Sequence, residues 1–161
     1  MARAASVQKP SLADRAANSE IDFGDFGELL GFQLRQAQAA VHRDYVGTVT
    51  DLDITQKQGA ILWLLQLNPG VSQVSVAGAL GMDRPTMMAV TDRLEARGLI
   101  TRVRSTVDRR RQELHLTPAG RSLLAKLKKR IAQQEQRIRA LLTPVEFTSL
   151  VSALGKLQQL G

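Results

Sequence analysis

Leu30, Leu34, Ala37, Val41 and Tyr45 recur at steps of four and three, which predicts a helix over residues 24–47 with that stripe along one side. Leu29, Phe32 and Ala40 fall on the other side of the same cylinder. A surface helix of a monomer needs one apolar face, and this one has two. Clamping between its own core and a second chain would account for both. The next helix starts at Thr55, where Thr55-Gln56-Lys57-Gln58 fits a capping box. In that arrangement the Thr hydroxyl and the Gln side chain satisfy each other's orphan backbone donors. Ala60, Ile61, Leu64 and Leu65 are its expected buried face, and Asn68-Pro69-Gly70 ends it.

A short helix over 73–80 follows, with Ser72 as N-cap and Val76, Ala77 and Leu80 inward. Gly81 supplies a turn. Asp83 caps a second helix that tolerates Pro85 in its first turn, buries Met87, Val90 and Leu94, and stops at Gly98. Two strands are expected over 99–104 and 112–116, with a polar, arginine-rich tip over 105–111 between them. Thr117-Pro118 opens the longest helix, which runs to about Leu142. There Leu124, Leu127, Ile131, Gln134, Ile138 and Leu141 follow a coiled-coil seam with one polar interruption. A last helix begins near Thr143-Pro144, with Phe147, Leu150, Val151, Leu154 and Leu157 on one side. Residues 1 to about 20 show no periodicity and read as a disordered or loosely docked arm.

Composition narrows the function more than the fold. The chain has 161 residues, 43% of them apolar and 23% charged, enough for one compact domain with a real core. The absence of cysteine excludes disulfides, thiolate metal sites and thiol redox switches. Only two histidines remain for acid–base or metal work, His42 and His115, and neither sits in a nucleophile or metal motif. No glycine-rich phosphate loop appears either. An enzyme, a metal site and a cofactor are therefore not expected. No apolar run is long enough for a membrane span and no signal peptide is visible, so the expected location is the cytosol.

The net charge of +7 is concentrated in the arginine-rich tip and the C-terminal third. A clustered basic region on such a chain points to a polyanion, nucleic acid first, unless it is a solvated helix face. Helix, tight turn, helix and two-stranded hairpin is the winged helix-turn-helix order, in which the second helix enters a major groove. Arg84, Pro85, Thr86, Met88, Ala89, Asp92 and Arg93 are its outward positions, and Ser72 joins them from the start of the first helix. Arg84 can take a phosphate or a guanine edge, Thr86 a phosphate, and Met88 a thymine methyl. Arg109, Arg110 and Arg111 stand consecutively at the hairpin tip, where their mutual repulsion contributes nothing to folding but suits the negative minor groove. Asp108 can hold the Arg110 guanidinium in one rotamer.

These residues carry a family resemblance. Leu80-Gly81, Arg84-Pro85-Thr86, Asp92-Arg93-Leu94-Glu95-Ala96-Arg97-Gly98-Leu99-Ile100, Asp108-Arg109-Arg110 and Leu116-Thr117-Pro118-Ala119-Gly120 resemble the signature of the MarR family of bacterial transcriptional regulators. The resemblance covers roughly residues 24–160. It implies a mainly α fold with a small β-hairpin, a winged helix-turn-helix with N- and C-terminal dimerisation helices. It further implies a homodimer on a palindromic DNA operator and repression relieved by a small ligand. Met87-Met88 departs from the pattern, since the family often has a Ser or Thr there. The expected division is a flexible arm over 1–22, a dimerisation region over 23–54 and 117–161, and a DNA-binding lobe over 55–116.

The resemblance also implies an effector, commonly an aromatic acid or its coenzyme A thioester. Arg35, Gln38 and His42 flank the apolar stripe of the first helix, Arg43 lies on its other side, and Trp63, Phe32 and Tyr45 are the few rings able to stack on a planar ligand. Each has a plainer alternative. Trp63 can be core, His42 an interface or surface histidine, and Arg35 half of an intersubunit ion pair. The competing function class is an architectural DNA protein with the same basic surface, no ligand and little sequence preference.

Overall fold

The computed structural model describes residues 21–105 and 112–160. Asp108, Arg109, Arg110 and Arg111 lie outside the described residues. The chain divides into two compact units, one up to His42 and one from Arg43 onward.

In the first unit, the helix expected over 24–47 is broken. A 3-10 turn over Gly24–Glu28 comes first, and α1 (Leu30–Val49) starts only after Leu29 adopts an extended conformation. The Phe32 ring packs on Phe23 and Phe26, with centroids 5.4 and 4.8 Å apart. The Leu30–Tyr45 stripe of α1 is largely exposed, and of its members only Tyr45, in the second unit, is buried.

The second unit holds the core. A 3-10 turn (Thr50–Leu52) leads through Asp53, which takes a left-handed conformation (φ 46°), into α2 (Gln56–Leu67). The Arg97 guanidinium holds that bend by donating to the Asp53 carbonyl. The capping box at Thr55 and Gln58 forms as the sequence predicts. The buried face of α2 is rotated from the expected one: Leu62 is fully buried beside Ile61 and Leu65, whereas Ala60 and Leu64 are only half-buried. Then come α3 (Gln73–Ala79), α4 (Arg84–Ala96), β1 (Ile100–Arg104), β2 (Gln112–Leu116), α5 (Pro118–Arg139) and α6 (Pro144–Leu157). The strands pair antiparallel from Ile100 with Leu116 to Arg104 with Gln112. Val71 and Ser72 add a short third edge, since Leu114 N–H donates to the Val71 carbonyl and Ser72 bridges Glu113.

Ile61, Leu62, Leu65, Met87, Leu94, Leu114, Leu124 and Leu127 are fully buried. Each contributes about 1.5–3 kcal/mol by leaving water. Leu124 and Leu127 thus spend the start of the α5 seam on the chain's own core, while Leu141 at its end is 82% exposed. Asp51 and Asp44 on the α1 side pair with Arg130 and Arg137 of α5 at 2.7 and 2.9 Å. Gly59 lets α5 approach α2, because a Cβ there would meet Leu127 at 2.8 Å. The Tyr45 hydroxyl is buried beside it without a hydrogen-bond partner among the described residues, and burial pushes its pKa up.

Candidate nucleic-acid interface

Two glycine caps fix the angle between α3 and α4 and the exit into the strands. At Gly81 (φ 59°) Met82 N–H reaches back to the Ala77 carbonyl, and at Gly98 (φ 66°) Leu99 N–H reaches the Leu94 carbonyl. Both are left-handed closures in which a Cβ would cost strain. Ser72 caps α3 by accepting from Ser75 N–H at 3.1 Å.

At the start of α4, Asp83 accepts from the Thr86 N–H at 2.7 Å and from the Thr86 hydroxyl at 2.8 Å. Those two bonds, the backbone one first, hold the Asp83 carboxyl below the usual carboxylate range. Its contribution to stability is therefore complete above about pH 4 and is lost as pH falls through the lowered folded-state value. Asp83→Asn keeps a capping acceptor that does not titrate. The melting-temperature advantage of wild type over this variant is expected to shrink between pH 7 and pH 3, as followed by circular dichroism.

Beyond the cap, Met87, Thr91 and Leu94 of α4 are buried, while Arg84, Pro85, Met88, Ala89, Asp92 and Arg93 are exposed and Thr86 is half-buried. The guanidinium groups of Arg84 and Arg93 make no hydrogen bond or ion pair with the described residues and stand available to a polyanion. Ser72, Arg84, Met88 and Asp92 line one cleft of about 890 Å³ between α3, α4 and the strands. Pro85, Ala89 and Arg93 share the exposed side of α4 with them.

Two residues of this cleft were not legible as functional in the sequence. Val74, on α3, is 74% exposed and presents an apolar surface beside Met88. Its signal was a valine out of phase with Val76, Ala77 and Leu80. Arg102, on β1, donates to Asp92, Glu95 and Thr91 of α4. The signal there was Asp92 and Glu95 one turn apart, followed by an arginine in the next strand.

Of the residues singled out for an effector, Phe32, Arg35, Gln38 and His42 lie in the first unit, Arg43 and Trp63 in the second. Arg35, Gln38, His42 and Arg43 are exposed and Phe32 is half-buried in its aromatic cluster. Trp63 is half-buried against the core, and the Lys128 ammonium sits 4.7 Å from its ring centroid, covering one face. Among the described residues no group of side chains could hold a metal, and no helix is long and apolar enough to cross a membrane.

A capped helix pair, a β-hairpin wing and an outward helix face carrying arginines define a winged helix-turn-helix of the nucleic-acid-binding type. The MarR family model matches residues 54–111. A Thauera aromatica protein described as a transcriptional regulatory protein for the hcr operon is 36% identical over 150 residues, 92% of this chain and 89% of that one. The chain belongs to the MarR family. The repressor CouR, solved on a 23-mer DNA duplex, superposes with a TM-score of 0.82 at 40% identity over 88% of this chain and all of that one. CouR bound to p-coumaroyl-CoA gives 0.82 at 37% identity over the same shares. BpsR of Bordetella bronchiseptica, whose DNA binding is regulated by 6-hydroxynicotinic acid, gives 0.80 at 30% identity over 84% of this chain and 97% of that one. These relatives are transcriptional regulators rather than enzymes.

Proposed function

We propose that the chain is a homodimeric, sequence-specific DNA-binding transcriptional repressor that a small aromatic acid or its coenzyme A thioester releases from a palindromic operator. The observation that carries the DNA half is the exposed face of α4, with Arg84, Met88 and Arg93 outward beside a wing, in a chain 40% identical to CouR on a duplex. In this reading α4 enters the major groove, Ser72, Pro85, Thr86, Ala89 and Asp92 border it, and Arg109, Arg110 and Arg111 of the tip reach the flanking minor groove with Asp108 orienting Arg110.

The dimer half is supported by apolar surface that one chain leaves in water. On α6 and just before it, Leu141, Val145 and Val151 are 82%, 75% and 53% exposed, and Leu30 and Val46 of α1 are 60% and 51% exposed. Large apolar side chains left in water along a helix are the material of an interaction surface. The proposed dimerisation region is 23–54 together with 117–161, the DNA-binding lobe 55–116, and two-fold symmetry then sets half-sites about one helical turn apart.

The effector half is supported by p-coumaroyl-CoA on CouR and 6-hydroxynicotinic acid for BpsR. Phe32 and Trp63 are the proposed ring contacts, and Arg35, Gln38, His42 and Arg43 the proposed contacts to a carboxylate, phenolate or phosphate. A ligand that favours the DNA-incompetent dimer by roughly 1–3 kcal/mol shifts operator affinity about 5- to 150-fold.

Titrating a preformed protein–duplex complex with aromatic acids and their thioesters, followed by fluorescence anisotropy, tests the reading. Release by one class at concentrations that leave the free protein folded is expected. No release by any of them would contradict the effector assignment. Arg35→Ala is expected to weaken the releasing ligand about ten- to a hundredfold, the loss of a charge-assisted hydrogen bond, with duplex affinity kept. Calorimetry showing unchanged ligand affinity would place the site elsewhere.

A further inference from the structure

Arg102 stands on β1, and its side chain is only 17% exposed. Its Nη1 donates to Glu95 Oε2 at 2.6 Å, and its Nη2 donates to Asp92 Oδ1 at 2.5 Å and to Thr91 Oγ1 at 2.7 Å. The Arg102 backbone N–H adds a fourth bond to Glu95 Oε1 at 3.2 Å. One residue of the wing strand therefore grips two successive turns of α4. The planar guanidinium suits this role, because its fork offers several donors at fixed angles while an ammonium is a single point charge.

The partners matter as much as the grip. Asp92 is an outward residue of α4, 57% exposed at its side chain, in the cleft that also holds Arg84 and Met88. A bare carboxylate there would repel duplex phosphates. Asp92 therefore makes sense on this surface as an anchor for the wing and not as a contact to DNA.

We infer that Arg102 is a positioning residue for DNA binding: it fixes the wing strand on α4 and offsets part of the charge of Asp92 and Glu95, and it is not itself a phosphate ligand. This rests on the DNA-binding reading above. It separates the basic residues near the cleft into two kinds. Arg84 and Arg93 have charge to offer a duplex, whereas the charge of Arg102 is already spent inside the protein.

The test uses the full chain and a duplex that the wild-type protein enriches from a random-sequence pool. Arg102→Met keeps most of the stem and removes the fork, and circular dichroism verifies that the variant is folded. The expected result is a loss of about ten- to a hundredfold in affinity at fixed salt, with the slope of log K against log salt unchanged. A phosphate ligand would instead lower that slope by about 0.9 when removed. Asp92→Asn with Glu95→Gln should then tighten binding at least tenfold more in the Arg102→Met background than in the wild-type chain, because only there are the carboxylates bare.

A slope reduced by about one, an affinity equal to wild type, or equal tightening in both backgrounds would overturn the inference. The double carboxylate variant alone keeps Arg102 and gives the wild-type arm of the comparison even if Arg102→Met folds poorly. In that case Arg102→Lys, which can reach one carboxylate at a time, supplies the other arm and is expected to show the same epistasis at smaller size. Failure of the wild-type chain to enrich any duplex removes the DNA-binding reading itself, before any variant is compared.

Discussion

Arg110→Ala is expected to weaken binding to a specific duplex by about 1–3 kcal/mol, roughly 5- to 150-fold, while the protein keeps its fold and its oligomeric state. The tip over 105–111 carries three consecutive arginines whose repulsion would disfavour any compact packing of their own. In the proposed reading their charge serves against a narrow minor groove, where the negative potential is strongest. The proposed role of Asp108 is to hold the Arg110 guanidinium in one rotamer, so truncation is expected to remove an oriented cation. Anisotropy titrations over a salt series would show both the loss and a shallower salt slope, the opposite of what Arg102→Met predicts. Unchanged affinity would mean that the tip does not enter the groove.

Gly120→Ala is expected to destabilise the fold severely, by about 3 kcal/mol or more, the upper range for forcing atoms into a packed site. A Cβ on Gly120 would lie 2.0 Å from the Leu99 carbonyl oxygen and 3.0 Å from its carbon. These are backbone atoms held on both sides. Thr117 N–H donates to that same Leu99 oxygen at 3.1 Å, and the Thr117 hydroxyl donates to the Gly98 carbonyl at 2.6 Å. No rotamer change relieves such a clash, so the first turn of α5 must move away from the start of β1. For a chain of this length that corresponds to a melting temperature lower by about 6–12 °C. Gly47→Ala is the control, a helical glycine whose Cβ would meet nothing within 4 Å. It is expected to be neutral or to stabilise by about 0.5–1 kcal/mol through lower unfolded-state entropy. Equal melting temperatures for the two variants would contradict the packing described for Gly120.

Local chemistry made much of the DNA-binding half legible before any coordinates. The capping box at Thr55, the caps at Ser72 and Asp83, and the left-handed closures at Gly81 and Gly98 are decided within a few residues, and all five form. The alternation of Gln112–Leu116 likewise gave a strand at its observed bounds. What local signals cannot carry is direction. The stripe of α1 has helical spacing, but which of its two apolar sides meets the core depends on partners far along the chain. Leu30, Ala37 and Val41 on one side are exposed, and so are Leu29 and Ala40 on the other. The same limit explains α2, where Leu62 takes the buried place assigned to Leu64, and the α5 seam, whose first leucines turn to the core.

The site divided in a similar way. Outward positions of α4 follow from its inward ones by simple geometry, so Arg84, Met88 and Arg93 could be named from the sequence. Asp92 could be placed outward too, but its role could not, because that depends on the fork of Arg102 arriving from another element. Thr86 is a milder instance: its hydroxyl donates to Asp83, a local bond hidden by the choice among several acceptors. Val74 escaped because an exposed valine on a short helix carries no chemical signal until it is seen lining a cleft with Met88.

In the proposed reading, α4 and the wing read a defined duplex sequence as a pair of chains. Competition between a duplex enriched by the protein and a scrambled duplex, at physiological salt and with the protein-to-duplex ratio recorded, tests it most directly. Two chains per duplex and a preference of at least about a thousandfold for the enriched sequence are expected. Near-equal affinity for both duplexes, as an architectural DNA protein would give, or saturation by a single chain would contradict it.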